Sequence, residues 1–275
     1  MIKMVVADYD DTTAHGETVT ERVKEAIKMF REKGGKYVIC TGRDTLSIDS
    51  IIEKNGLTVD AVASYVGGFI RAEGKVLSSK GLPSETVVKI IAAIKEKFGM
   101  PSLAFFADDD TMYYNGTNEY VRNYIDWTKC KVKKAEELSD ERGKCNKILV
   151  PRNNVEEDIM KVKEFVDEKF GDDVLSFSMW HVLEIVSKNA TKYDAVKSLA
   201  EHFGIKEDEV VTMGDSANDL PLIKFGTGIM IKGGGGETFL KDVAKYKAPP
   251  IAELPVAAVL ESIVDGTFPK GFERI

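Results

Sequence analysis

Four short stretches of this chain carry residue types that could do chemistry together. In the first, Asp8-Tyr9-Asp10-Asp11-Thr12, the run Ile2 to Ala7 ends at Asp8, with Asp10 in the turn just beyond. Carboxylates crowded at one strand end repel each other unless a cation sits between them. A hard oxygen site that combines one or two carboxylates with a substrate phosphate suits Mg²⁺. Without an ion, the stretch would be an acidic turn facing water.

The second stretch, Gly214-Asp215-Ser216-Ala217-Asn218-Asp219, also follows a short apolar run, Val210 to Met213. Its acid and amide groups could supply a further metal ligand and the partners that orient it. Asp215 or Ser216 could also cap a helix, and the two roles are compatible. The third, Thr41-Gly42-Arg43, closes the run Tyr37 to Cys40. A hydroxyl and a main-chain N–H at a strand end can bind phosphate oxygens, and glycine lets the backbone approach closely. The fourth is Lys192, in Lys188-Asn189-Ala190-Thr191-Lys192. An ammonium beside a metal can hold nucleophile and phosphate together as charge builds. A lone lysine is more often a solvated surface charge.

Elements must bring these stretches together. The runs Ile2–Ala7, Tyr37–Cys40, Val59–Ala63 and Val210–Met213 are rich in Val, Ile and Ala without clean alternation. Such runs read as strands buried on both faces of a parallel sheet. Between the first two, Val19 to Lys33 places Val23, Ala26, Ile27 and Phe30 at helical spacing, with Gly34-Gly35 as the stop. Asp44 to Lys54 and Tyr193 to Phe203 also read as helices. Alternating strand and helix predict a doubly wound, mostly parallel α/β core of the Rossmann-like kind. Ligands bind such sheets at the carboxyl ends of the strands, where the four polar stretches fall.

The middle of the chain differs. A helix opens at Pro83-Ser84-Glu85 and carries Val87, Ile90, Ile91 and Ile94. Strands are expected at Leu103–Phe106, Thr111–Tyr114, Lys147–Val150, Leu175–Ser178 and Val182–Val186, with helices at Glu119–Trp127 and Val155–Phe170. This reads as an inserted α+β domain over 83–187, leaving 1–82 and 188–275 as the catalytic core.

At 275 residues the chain exceeds the usual single-domain size. Its net charge of −7, from 38 basic and 45 acidic residues, argues against a nucleic acid or an anionic membrane as partner. It leaves room for an anionic substrate at a cationic pocket. The opening residues are too short for a signal segment and no apolar stretch is long enough to span a bilayer. Cys40, Cys130 and Cys145 show no metal-type spacing and fit free thiols. A cytoplasmic protein is expected.

Taken in order, Asp8-x-Asp10-x-Thr12, Thr41-Gly42-Arg43, Lys192 and Gly214-Asp215-Ser216-Ala217-Asn218-Asp219 resemble the haloacid dehalogenase superfamily of phosphatases. The insertion looks like the type IIB cap of its Cof-type, sugar-phosphatase branch. The resemblance implies a Mg²⁺-dependent phosphomonoester hydrolase acting on a small phosphorylated metabolite, such as a sugar or polyol phosphate. It implies that Asp8 is the nucleophile, forming an aspartyl phosphate, and that Asp10 is the general acid and base. The metal would be held by Asp8, the main-chain carbonyl of Asp10 and Asp215, with Asp219 behind them. Thr41, Gly42, Arg43, Asn218 and Lys192 would hold the phosphoryl group. A phosphomutase and a non-catalytic phosphometabolite-binding regulator are the alternatives.

The chain departs from the family pattern at several positions. Asp11 stands where Gly is frequent, Thr13 where a larger apolar residue is usual, and Val66 where Asn is usual. Met230-Ile231-Lys232-Gly233-Gly234 replaces a Met-Gly-Asn-Ala type segment. Gly233 to Gly236 lacks the ending of a nucleotide P-loop and reads as a mobile loop near the site. His15, His181 and His202 show no metal spacing, and His15 is expected on an exposed loop. Asp108-Asp109-Asp110 reads as a solvated turn, and Trp180 and His181 as a strand-to-strand turn.

Overall fold

The computed structural model describes residues 1–99, 103–107, 111–115, 122–124, 131–134, 144–151, 156–179 and 182–275. In chain order the strands are β1 (Met4–Ala7), β2 (Lys36–Cys40), β3 (Ala61–Ser64), β4 (Phe69–Ala72), β5 (Lys75–Ser79), β6 (Ala104–Ala107), β7 (Thr111–Tyr114) and β8 (Lys131–Lys134). They continue with β9 (Cys145–Pro151), β10 (Val174–Met179), β11 (Val182–Ser187), β12 (Val210–Gly214), β13 (Thr227–Ile231), β14 (Tyr246–Ala248) and β15 (Glu273–Arg274). Two compact units emerge. One comprises Met1–Gly42, Ile51–Ser78 and Thr191–Ile275; the other comprises Arg43–Ser50 and Ser79–Ala190.

In the first unit the strands run in the order β15-β14-β13-β12-β1-β2-β3-β4-β5. β1 lies between β12 and β2 and is parallel to both, with Val5 opposite Val211 on one side and Tyr37 on the other. Residues Met4 to Ala7 are therefore wholly buried, which is why the run is continuously apolar. From β1 the chain proceeds outward through β2 and β3, then returns to β12 on the other side. That reversal creates a switch point at the carboxyl ends of β1 and β12, the place where α/β sheets bind ligands.

The helix Glu21–Glu32 buries Val23, Ala26, Ile27 and Phe30, the expected stripe. It packs beside the helix Pro255–Val264, and Arg22 donates to Glu261 at 2.7 Å. On the sheet, Ala195, Val196 and Leu199 of the helix Lys192–Phe203 pack with Met4, Val6, Val38 and Ala63. Each larger aliphatic chain so buried contributes roughly 1.5–3 kcal/mol. This packing fixes the helix whose first residue is Lys192.

The second unit holds a sheet in the order β10-β11-β9-β6-β7-β8. Phe105, Ile148 and Ile185 align across three of its strands. They pack with Val87, Ile90 and Ile94 of the helix Ser84–Phe98 and with Val166 of the helix Glu156–Phe170. On the alternate positions, Lys147 stands opposite Phe106 and donates to Glu184 at 2.9 Å. β9 runs longer than expected, from Cys145 to Pro151. β4 and β5 carry no clear apolar alternation; the turn between them, Glu73-Gly74, has φ of 51° and 74°.

Asp108 to Asp110, Trp180, His181 and the expected helix at Glu119–Trp127 outside 122–124 lie beyond the described residues. Among the described residues, no helix is long and apolar enough to cross a membrane.

Candidate active site

The loop after β1 is closed by its own backbone. Thr13 and Ala14 N–H groups both donate to the Tyr9 carbonyl, at 2.9 and 3.0 Å, and Asp11 N–H donates to Ala14. Asp8 N–H donates to the Met213 carbonyl at 3.0 Å, tying the loop to β12. Closing so tight a loop puts Asp11 at φ 55°, in the left-handed region. Aspartate tolerates that conformation better than most residues. Its exposed carboxylate meets His15 Nδ1 at 2.6 Å, and this raises the His15 pKa. His15 is thus an exposed partner of the turn, as expected.

Asp8 is buried, and its Oδ1 accepts from Lys192 Nζ at 2.8 Å. Lys192 reaches it from the first turn of its helix, where Thr191 caps the Asp194 N–H at 3.0 Å. The same ammonium donates to Asp219 Oδ1 at 2.6 Å. Asp219 Oδ2 accepts from the Asp215 N–H at 3.1 Å and the Ser216 N–H at 3.0 Å. Asp219 is therefore committed to holding its own turn and Lys192. Gly214 makes this possible: a Cβ there would lie 2.5 Å from the Asp219 Cβ.

Asp215 completes the group, its Oδ1 accepting from the Thr12 hydroxyl at 2.9 Å. Ligand atoms of Asp8, Asp215 and Asp219 all lie within 4.8 Å of one another. Burial raises the Asp8 pKa well above its ordinary value, and the Asp219 carboxylate adds to this against the pull of Lys192. Burial and Asp219 likewise push Asp215 up to about 7. Burial draws Lys192 down, but Asp219 and Asp8 outweigh it, and the ammonium stays charged. Three carboxylates face one ammonium. That surplus of buried negative charge fits a divalent cation with hard oxygen ligands.

The other expected residues distribute as follows. Asp10 is half-buried on the loop and close enough for its charge to raise the Asp8 pKa. Thr41 is buried at the end of β2, donating its N–H to the Ala63 carbonyl at 2.8 Å and accepting from Val66 N–H at 2.9 Å. Asn218 accepts from the Ser216 hydroxyl at 2.6 Å, and its Nδ2 would lie 3.9 Å from a Cβ built on Gly42. Arg43 falls in the second unit, where its Nη1 donates to Ser47 Oγ at 3.3 Å.

Sequence reading gave no role to three contributors. The hydroxyls of Thr12 and Thr13 bond inward, Thr13 Oγ1 donating to the Asp8 carbonyl at 2.6 Å. Tyr37, read only as the start of an apolar strand, lies 3.0 Å from Thr13 Oγ1 through its hydroxyl. The segment Gly233 to Gly236, expected as a mobile loop, packs on the turn that carries Asp215: Gly236 N–H donates to the Asp215 carbonyl at 2.7 Å. A Cβ on Gly236 would come within 2.3 Å of the Ser216 backbone, so glycine is required by close approach.

The sequence model of the haloacid dehalogenase-like hydrolases matches residues 5–260. A Bacillus subtilis protein named 5-amino-6-(5-phospho-D-ribitylamino)uracil phosphatase is 22% identical over 268 residues, covering 94% of this chain and 96% of that one. A haloacid dehalogenase-like hydrolase from Bacteroides thetaiotaomicron superposes with a TM-score of 0.81 at 22% identity, over 96% of this chain and all (100%) of that one. A subclass IIB sugar phosphatase superposes with a TM-score of 0.79 at 21% identity, over 95% and 98% of the two chains.

Proposed function

The chain belongs to the haloacid dehalogenase-like hydrolase family and is a phosphatase, and we propose that it hydrolyses a small sugar or polyol phosphate through a phosphorylated Asp8. The observation that carries this is the buried group of Asp8, Asp215 and Asp219 around the Lys192 ammonium.

The Asp8 carboxylate attacks phosphorus as the bond to the leaving alcohol breaks, and Asp10 gives that alcohol its proton. Asp10 then takes a proton from a water whose oxygen attacks the aspartyl phosphate. Inorganic phosphate leaves and the Asp8 carboxylate is restored. Lys192 orients Asp8 and favours its ionised form against burial, at 2.8 Å. Thr41, Gly42 and Asn218 hold phosphoryl oxygens. Asp8, the Asp10 carbonyl and Asp215 would hold Mg²⁺, with Asp219 supporting them; when bound, the ion neutralises charge on the transferring phosphoryl group. A loose transition state needs alignment and charge neutralisation above all, and this group supplies both.

A substrate with a hydroxylated carbon chain agrees with two relatives, one named for a phosphoribitylamino compound and one for sugar phosphates. Residues 83–187 are the segment we read as the substrate-selecting cap. The buried thiols of Cys40 and Cys145 suit the reducing cytoplasm.

The test is hydrolysis of p-nitrophenyl phosphate, then of a panel of sugar and polyol phosphates. Activity is expected to need Mg²⁺, to vanish with chelator and to vanish in Asp8→Asn. Binding without turnover would favour a regulator, and transfer that needs a bisphosphate would favour a mutase. Either result would overturn the proposal.

A further inference from the structure

Tyr37 sits wholly buried on β2, one strand from the nucleophile, and the chemistry above makes no use of its phenol. Its oxygen lies 3.0 Å from Thr13 Oγ1, which in turn lies 2.6 Å from the carbonyl oxygen of Asp8. A carbonyl can only accept, and a threonine hydroxyl has one proton. That proton is spent on Asp8, so the Tyr37 O–H must donate to Thr13. Burial raises the phenol well above its ordinary pKa, so it remains a donor across the working range. Successive hydrogen bonds in a dry interior polarise one another in the same sense.

The other bonds that fix this loop act elsewhere. Thr13, Ala14 and Asp11 N–H groups bond within the loop, and the Thr12 hydroxyl reaches Asp215. The phenol joins the loop to β2. It depends on Thr13, one of the positions where this chain departs from the pattern it resembles.

We propose that Tyr37 and Thr13 are positioning residues: the chain Tyr37 O–H to Thr13 O–H to the Asp8 carbonyl fixes the main chain of Asp8, so that its carboxylate meets Lys192 in one orientation. The proposal rests on the reading of Asp8 as the nucleophile.

The experiment compares Tyr37→Phe, Thr13→Val, Thr13→Ser and the double variant Tyr37→Phe/Thr13→Val with the wild type, using p-nitrophenyl phosphate and Mg²⁺. Tyr37→Phe and Thr13→Val should each lower kcat about tenfold with KM within about twofold. Thr13→Ser, which keeps the hydroxyl, should retain kcat. The double variant should be no worse than Thr13→Val alone, because the two groups act in series. In protein labelled with ¹³C at aspartate carbonyls, the Asp8 resonance should move upfield in Tyr37→Phe. Wild-type kcat in both single variants, multiplied losses in the double, or an unmoved Asp8 resonance would overturn the proposal. Should Thr13→Val not fold, Tyr37→Phe carries the test through both readouts. A wild type that hydrolyses nothing would sink the phosphatase reading, while the Asp8 resonance still decides the hydrogen-bond chain.

Discussion

Lys192 Nζ lies 2.6 Å from Asp219 Oδ1 in a site where neither side chain has any solvent exposure. The lysine is the first residue of its helix, where a positive charge opposes the helix dipole. Burial and position both disfavour the ammonium, so its carboxylate partners must hold it there. Asp219 does so while its other oxygen secures the turn that carries Asp215. One buried ion pair thus connects the lysine that bonds Asp8 to the loop that carries Asp215.

Removing the ammonium should expose that dependence. In Lys192→Met, Asp8, Asp215 and Asp219 face one another without a compensating charge. Breaking a buried pair from one side typically costs about 3–5 kcal/mol. Urea denaturation at pH 8 should show a loss of that order, and hydrolysis should fall by at least about a thousandfold. Wild-type stability at pH 8 would contradict the charge balance described.

Asp8→Asn should separate stability from activity. The substitution removes one of three crowded carboxylates, leaves two against one ammonium, and preserves shape. Turnover should drop by a factor of at least about 10⁴. Without metal, the thermal midpoint should equal or exceed that of the wild type. A midpoint several degrees lower would show that Asp8 serves the fold more than the chemistry.

The pH dependence has a definite sign. The folded-state pKa values of Asp8 and Asp215 are raised above the ordinary carboxylate value, Asp215 to about 7. A raised carboxylate adds stability below its unfolded pKa and loses it as pH climbs through the folded one. The metal-free protein should therefore lose stability from about pH 4 toward pH 7 and above. Cation binding requires the ionised forms, so the midpoint gained on adding Mg²⁺ should be small at pH 5 and large at pH 8. Scanning calorimetry at both pH values, with and without Mg²⁺, checks this; an equal gain at both would refute it.

Much of this was legible in the sequence, because buried parallel strands announce themselves as unbroken apolar runs. Those runs set Asp8, Thr41 and Asp215 at neighbouring strand ends. The strands flanking the parallel core were not legible: β4 and β14 are short and mixed in character, held by pairing with neighbours more than by local pattern. Tyr37 escaped because a phenol in an apolar run looks like core, and only the folded loop reveals what its oxygen meets. Lys192 needed its motif context, since nothing local distinguishes a buried ammonium from a solvated one.

Val66 offers the sharpest test of backbone strain at the site. It is buried, β-branched and at φ 60°, between Tyr65 at φ 51° and Gly67 at φ 92°. The left-handed region costs an L-residue roughly 1–2 kcal/mol, and a branched side chain suffers most. The structure tolerates this beside Thr41, whose carbonyl accepts the Val66 N–H at 2.9 Å. At ordinary buried positions glycine is worse than alanine by about 0.5–1 kcal/mol, through backbone entropy. Here the order should reverse, because glycine alone enters this region freely. Val66→Gly should be at least as stable as Val66→Ala by urea denaturation, both below the wild type for the lost side chain. Alanine proving the more stable of the two would mean that residue 66 does not hold the left-handed conformation, and that Thr41 is anchored in another way.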